Sequence, residues 1–135
     1  MIAALLFVAA AIDGIPVHYT NHGTGDSAVV FVHGWTCDET FWRGQVPAVR
    51  ALGRRVITID LPGHGKSGAA PERWMSMKNF ARAVQAVLVE AGVRRAVLAG
   101  HSMGAPVVRE FARLDPGRTA GLVIVDGSIF RPAAA

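Results

Sequence analysis

The sequence predicts an α/β fold: a mainly parallel sheet with helices on both faces. Three observations lead there. First, residues 28–32, 56–59, 96–99 and 122–125 are short apolar runs without polar alternation, the pattern of strands buried on both faces. Second, stretches with helical spacing separate these runs. Strands alternating with helices make crossover connections, and these lay successive strands parallel in one sheet. Third, the 15 glycines and 7 prolines are spread between the runs. They act as turn residues and do not form a low-complexity tract.

The elements can be justified in order. Residues 2–11 are an unbroken apolar run ending in Ala9-Ala10-Ala11, shorter than the ~20 residues of a membrane span. No stable membrane span is therefore expected. Residues 1–12 read either as the remnant of a signal peptide, with an A-x-A-like site but no positively charged start, or as a first strand. In the second case the chain turns at Asp13-Gly14 into a strand over 15–20, where Ile15, Val17 and Tyr19 alternate. The first reading implies an extracytoplasmic protein, the second a cytoplasmic one. A helix is expected over 45–52, stopped by Gly53. A second follows Ser76 as N-cap, with Phe80, Val84, Val87, Leu88 and Ala91 on one face and Gly92 as its stop. A third is expected from Ser102 to Leu114, ended by Asp115-Pro116-Gly117. The expected sheet order is second, fourth, third, fifth, sixth strand, with the N-terminal strand adding at one edge.

Composition narrows the function. At 51% hydrophobic and 18% charged residues, the chain can bury a core and does not read as disordered. The net charge is +4 and the sequence pI about 10.2. The basic residues are scattered along the chain and do not gather on one element, so nucleic acid is not an expected partner. The single cysteine, Cys37, excludes an internal disulfide and a multi-cysteine zinc site. No metal and no cofactor is expected.

The chemistry lies in three segments. Gly100-His101-Ser102-Met103-Gly104 is a G-x-S-x-G pattern directly after a strand and directly before a helix, the context of a nucleophile elbow. The sharp turn lifts the serine hydroxyl from the sheet. The helix start behind it offers unpaired N–H groups and a positive dipole end. His33-Gly34-Trp35 follows an earlier strand. Acyl transfer needs two donors for the oxyanion; Met103 N–H and Trp35 N–H are the candidates. The His33 side chain reads as packing for its loop. Asp60-Leu61-Pro62-Gly63-His64-Gly65-Lys66-Ser67-Gly68 nearly matches a phosphate-binding loop. Asp60, however, stands where glycine is required, and no helix opens at once after the glycines. Nucleotide binding is therefore rejected.

In this order and at this separation, Phe31-Val32-His33-Gly34-Trp35, the 60–67 segment and the 100–104 elbow resemble the landmarks of the α/β-hydrolase family. The resemblance runs from about Asp13 to Ser128. It implies an α/β-hydrolase fold through about the sixth strand, a serine nucleophile at Ser102, and an esterase-like acyl substrate of small size. Serine at 102 argues against the branches that use aspartate there. The 60–67 segment would be a shaping loop and not a substrate ligand.

The chain also departs from the family. A serine needs a base, and the base needs an acid to orient it. The family places them in the order serine, acid, histidine. Of the five histidines, His18, His22, His33, His64 and His101, none follows Ser102. Asp126 stands where a minority of the family carry the acid; a carboxylate merely capping the strand end is the competing reading. Asp38, Asp60 and Asp115 have weaker claims. The expected organisation is a partial domain over 13–128, with 129–135 as a tail or the start of a lid. The sixth strand should then leave an open edge through which copies of the chain self-associate. The functional expectation is a serine hydrolase of carboxylic esters or related acyl compounds acting through an acyl-serine intermediate, here without its histidine. A non-catalytic remnant or binding protein of the same topology is the alternative. Carbon–carbon bond cleavage or peracid formation from the same serine is a third reading.

Overall fold

A computed structural model of the protein describes residues 9–128; the readings placed on residues 1–8 and 129–135 lie outside them. Strands β1 (Ala9–Ile12) and β2 (Ile15–His22) form a hairpin. Its two-residue turn has Asp13 at φ 50° and Gly14 at φ 78°, both left-handed, as the tightest hairpin turn requires. The Asp13 carboxylate accepts hydrogen bonds from Arg82 Nη1 and Nη2 (2.8 and 2.9 Å) and from Trp74 Nε1 (3.0 Å). The hairpin is thereby fastened to the helix that carries Arg82 and to the turn before it, which carries Trp74.

The remaining strands are β3 (Ser27–Val32), β4 (Arg55–Ile59), β5 (Arg95–His101) and β6 (Thr119–Val125), and the helices are α1 (Gln45–Ala51), α2 (Met77–Glu90) and α3 (Gly104–Leu114). One sheet holds all six strands in the order β1-β2-β4-β3-β5-β6. The pair β2–β4 is antiparallel, whereas β4, β3, β5 and β6 run parallel. The order expected from the sequence is the order found. Ser76 caps α2 by accepting Asn79 N–H (3.1 Å). Gly92, at φ 70°, lies just past its end.

Strand alternation divides the sheet into two faces. One presents Val30, Val32, Ile57, Ile59 and Leu98 to α2 and α3, which contribute Phe80, Val84, Val87, Val107 and Phe111; all ten are fully buried. Each such side chain stabilises the fold by about 1.5–3 kcal/mol, so this layer is the main core. The other face is thinner. Phe31, Trp42, Val56 and Ala99 pack there with Val46, Val49 and Val125, under α1 and the short 3₁₀ turn Glu39–Trp42. Toward β6 this cover ends, and Val123 is 47% exposed. Among the described residues the outer edge of β6 has no partner strand.

The parallel registers decide where the chemistry can be. Val32 lies beside both Ile59 and Gly100, and Gly100 beside Ile124. The segments starting at His33, Asp60, Ser102 and Asp126 therefore leave the sheet at the same end. Loops beyond the carboxyl ends of parallel strands are where open α/β sheets place ligands.

Candidate active site

Ser102 sits at the junction of β5 and α3, with φ 51°, exposed to solvent. A left-handed residue other than glycine costs of order 1–3 kcal/mol and persists only where its surroundings over-determine it. Here they do. Ser102 N–H donates to Val125 O (3.1 Å), and Ser102 O accepts Ala105 N–H (3.0 Å). The glycines around it leave no space for side chains. A Cβ on Gly100 would stand 2.3 Å from Gly104 O, and one on Gly104 would stand 2.3 Å from Val32 O. A Cβ on Gly127 would lie 2.8 Å from Ser102 O and 2.7 Å from Ala105 Cβ. The left-handed residue also explains one correction. The helix expected to open at Ser102 opens at Gly104, because a residue with positive φ cannot belong to a right-handed turn.

The loop after β3 rests directly on the elbow. A Cβ on Gly34 would be 3.2 Å from both Ser102 Cβ and His101 O, so the chain approaches the serine as closely as glycine allows. Cys37 N–H closes a turn onto Gly34 O (3.2 Å). Among the described residues neither Trp35 N–H nor Met103 N–H has a backbone acceptor, and α3 begins without a side-chain cap at Met103. These are the two donors singled out in the sequence. They lie on the two segments that meet at Ser102.

His33 is fully buried. Its Nδ1 lies 2.7 Å from Gly34 O, and its Nε2 accepts Leu61 N–H at 3.0 Å. A carbonyl can only accept, so the proton is on Nδ1 and Nε2 is bare. Burial pushes the His33 pKa below the ordinary imidazole value, although the hydrogen bond to Gly34 O opposes this. The ring is thus held neutral and in one tautomer.

The 60–68 loop is organised by Asp60, itself 1% exposed. Its two carboxylate oxygens accept Glu39 N–H (2.7 Å) and Lys66 N–H (2.9 Å). Ser67 Oγ donates to Asp60 O and accepts His18 N–H. A Cβ on Gly65 would collide with the Asp60 carboxylate. Asp60 is therefore a tie between this loop and the 39–42 turn. His18, Glu39 and Asp60 stand close enough to resemble a ligand cluster, and hydrogen bonds account for them. Glu39 receives the hydroxyls of Thr20 (2.9 Å) and Thr58 (3.1 Å), with His18 Nε2 at 3.4 Å. Trp35 is 54% exposed, and its indole stands edge-on to His64, with ring centroids 5.2 Å apart.

Among the described residues no histidine hydrogen-bonds Ser102. His33 has both nitrogens engaged, His64 Nδ1 faces Pro62 O (3.1 Å), and the His101 ring stacks on Phe41 at 4.2 Å. Asp126 follows β6 directly and has φ 47°; the Val125 carbonyl just before it holds Ser102 N–H. A cavity of about 370 Å³ lined by Thr20, Glu39, Arg43, Val46 and Thr58 lies on the α1 face and does not include Ser102. Sequence reasoning missed Gly127 and the bonded role of His33. A glycine two residues past a strand end was the available signal for the first.

A parallel sheet with a left-handed serine at a strand–helix junction, and a His-Gly loop laid across it, defines a recognisable class of fold. The profile of the alpha/beta hydrolase fold family matches residues 27–135, and the chain belongs to that family. It is 41% identical over 103 residues to the dihydrolipoyllysine-residue acetyltransferase component of the acetoin cleaving system of Pseudomonas putida, covering 76% of this chain and 27% of that one. It is 37% identical over 120 residues to a 2-hydroxy-6-oxononadienedioate/2-hydroxy-6-oxononatrienedioate hydrolase of Burkholderia vietnamiensis (strain G4 / LMG 22486), covering 87% and 42%. A solved thermophilic esterase from Thermogutta terrifontis superposes with a TM-score of 0.82 at 33% identity, covering 94% of this chain and 47% of the esterase. The chain thus spans less than half the length of each. No helix among the described residues is long and apolar enough to cross a membrane.

Proposed function

We propose that this chain carries the nucleophile and the oxyanion donors of a serine hydrolase acting on carboxylic esters or related small acyl compounds. The observation that carries the proposal is the left-handed Ser102, exposed at the elbow, with the unpaired N–H groups of Met103 and Trp35 on the segments that converge there. Ser102 Oγ attacks the acyl carbonyl carbon and gives its proton to a base. The carbonyl oxygen becomes an oxyanion held by the two N–H groups. Collapse expels the alcohol, which takes up the proton, and leaves an acyl-serine. Water then attacks this ester by the same route and releases the acid and Ser102. The base is the part that these residues do not supply. In the family's order it is a histidine beyond Asp126, and Asp126 is the acid candidate of this segment. Likeness to an esterase and to a hydrolase of oxo acids supports an acyl substrate.

The test is covalent trapping. A fluorophosphonate should label Ser102 slowly, for want of the base, but faster than any serine of the unfolded chain, read by peptide mass spectrometry, and Ser102→Ala should abolish labelling. With nitrophenyl esters the 135 residues should acylate slowly without efficient turnover, because oxyanion donors and binding alone leave ~10³–10⁴-fold over water when a triad is broken. Labelling elsewhere, or none, would overturn the reading. Full turnover lost in Ser102→Ala would instead mean that a histidine of this segment is the base.

A further inference from the structure

We infer that His33 is a positioning residue for the oxyanion hole: its ring sets the direction of the Trp35 N–H by gripping the carbonyl of the same peptide unit. The inference rests on the proposed function and names a residue to which that reading gives no part. Gly34 O and Trp35 N belong to one peptide bond. The described residues contain no cis peptide, so in that planar unit the C=O and N–H point in opposite directions. Whatever fixes Gly34 O fixes the aim of Trp35 N–H.

Two donors fix it. His33 Nδ1 is 2.7 Å from Gly34 O, and Cys37 N is 3.2 Å from it. The carbonyl thus has both acceptor sites occupied, and the N–H of the same unit points the opposite way. Without them the peptide could rotate, because Gly34 has no Cβ to restrict its dihedrals. The residue two positions on, Thr36, already holds φ 63°, so the turn stores strain that a rotation could release. The histidine is itself held from the far side. Its bare Nε2 accepts Leu61 N–H at 3.0 Å, and Leu61 is fully buried next to Asp60. Asp60 in turn is tied to Glu39 and Lys66 through their backbone N–H groups. One imidazole therefore links the end of β4 to the peptide that carries an oxyanion donor. The linkage works in one tautomer only. A proton on Nε2 would face Leu61 N–H, and loss of the proton from Nδ1 would set a lone pair against Gly34 O.

Two substitutions separate the two bonds. In His33→Asn an amide nitrogen takes the place of Nδ1 and can donate to Gly34 O, but nothing reaches Leu61 N–H. In His33→Gln the longer amide brings an acceptor to the place of Nε2, and no donor remains for Gly34 O. Both variants lose one buried hydrogen bond, so a merely structural role lowers the denaturation midpoint of both and does not rank their reactivity. The experiment measures the second-order rate of fluorophosphonate labelling at Ser102 in folded wild type, His33→Asn and His33→Gln. It also measures the Trp35 amide proton shift on adduct formation, with isotopically labelled protein. Removing an oxyanion donor outright costs about 10²–10³-fold; misaiming one should cost about 10-fold or more. The expected result is a His33→Asn rate within a few-fold of wild type, a His33→Gln rate at least about 10-fold lower, and a downfield Trp35 shift on adduct formation that His33→Gln loses. Equal rates in the two folded variants, or an unshifted Trp35 amide in a labelled wild type, would overturn the inference while leaving Ser102 as the nucleophile. Absence of any Ser102 adduct in wild type would overturn both, and the mass spectrum tells the two failures apart.

Discussion

Replacing Gly104 with alanine tests the packing argument most directly. The added methyl would stand 2.3 Å from Val32 O, 2.9 Å from His33 O and 3.1 Å from Val32 C. All three are backbone atoms of β3 and its loop, so no side chain can swing away. The nearest contact falls about 1 Å short of ordinary van der Waals distance, and either α3 or the end of β3 must move by about that much. Alanine would gain at most about 1 kcal/mol in helix propensity, since Gly104 opens α3, and about 0.8 kcal/mol for a buried methyl. Overpacking a tight site costs 1–3 kcal/mol and occasionally more. Backbone-on-backbone crowding lies at or beyond the upper end, so a net loss of about 1–2 kcal/mol is expected, lowering Tm by roughly 4–10 °C for a domain of this size. Function should suffer more than stability. The shift separates Ser102 and Met103 N–H from the His33–Trp35 loop, and a 1 Å misplacement can cost about 10²-fold in rate. Thermal unfolding and fluorophosphonate labelling, run beside Gly44→Ala, measure both. A Cβ on Gly44 meets nothing within 4 Å, so that control should label at the wild-type rate. A Gly104→Ala protein as stable and as reactive as wild type would refute the reasoning.

Two further outcomes follow from the hairpin and the sheet edge. The Asp13 pKa is lowered to about 2, first by the hydrogen bond from Arg82 and then by that from Trp74. A depressed carboxylate pKa contributes stability that is present above the ordinary value near 3.8 and lost as pH falls toward 2. Asp13→Asn should therefore flatten the loss of stability between these limits, read as denaturant midpoints across the window. The difference should shrink in high salt because the pair is exposed; an unchanged acid profile would contradict the assignment. Val123, 47% exposed on the uncovered face of β6, whose outer edge has no partner strand among the described residues, is expected to promote self-association. Val123→Lys should move the protein toward monomer in a sizing experiment, and a monodisperse wild-type monomer would remove the premise.

How much of this was legible in the sequence depended on which interactions carry each feature. The strand order was, because apolar runs and helical spacing report burial directly, and burial is what organises the sheet. The Asp13-Gly14 turn was also legible, since few residue pairs tolerate two left-handed positions in succession. Strand lengths were read short. The strands expected over 96–99 and 122–125 extend to Arg95–His101 and Thr119–Val125. Arg95, His101 and Thr119 join the ladder through their backbones, which hydropathy does not register. The helix start was placed at Ser102 for a related reason. The G-x-S-x-G pattern marks a sharp turn, but the left-handed φ that keeps Ser102 out of the helix is held by Val125 O and by the close approach of Gly127, both more than 20 residues further along the chain.

The site shows the same division. The candidates Ser102, Met103 and Trp35 come from order and spacing alone, because an elbow and a preceding strand–loop imply them. His33 could be named but not understood. Whether a buried histidine packs or bonds depends on where Leu61 N–H lies, 28 residues later, and on which way one peptide plane faces. Side-chain identity encodes neither. The glycines make the converse point. Gly34, Gly100, Gly104 and Gly127 are dispersed over 94 positions in the chain, and the structure packs all four around the Ser102 backbone and its neighbours. Elbow geometry is thus set by where side chains are missing, as much as by the groups that bond. A pattern search that scores residues present along one segment registers Gly100 and Gly104, which flank the serine. It has no term for Gly34 and Gly127, which arrive from two other strands and fit only because the parallel registers of β3 and β6 with β5 deliver them to the same end of the sheet.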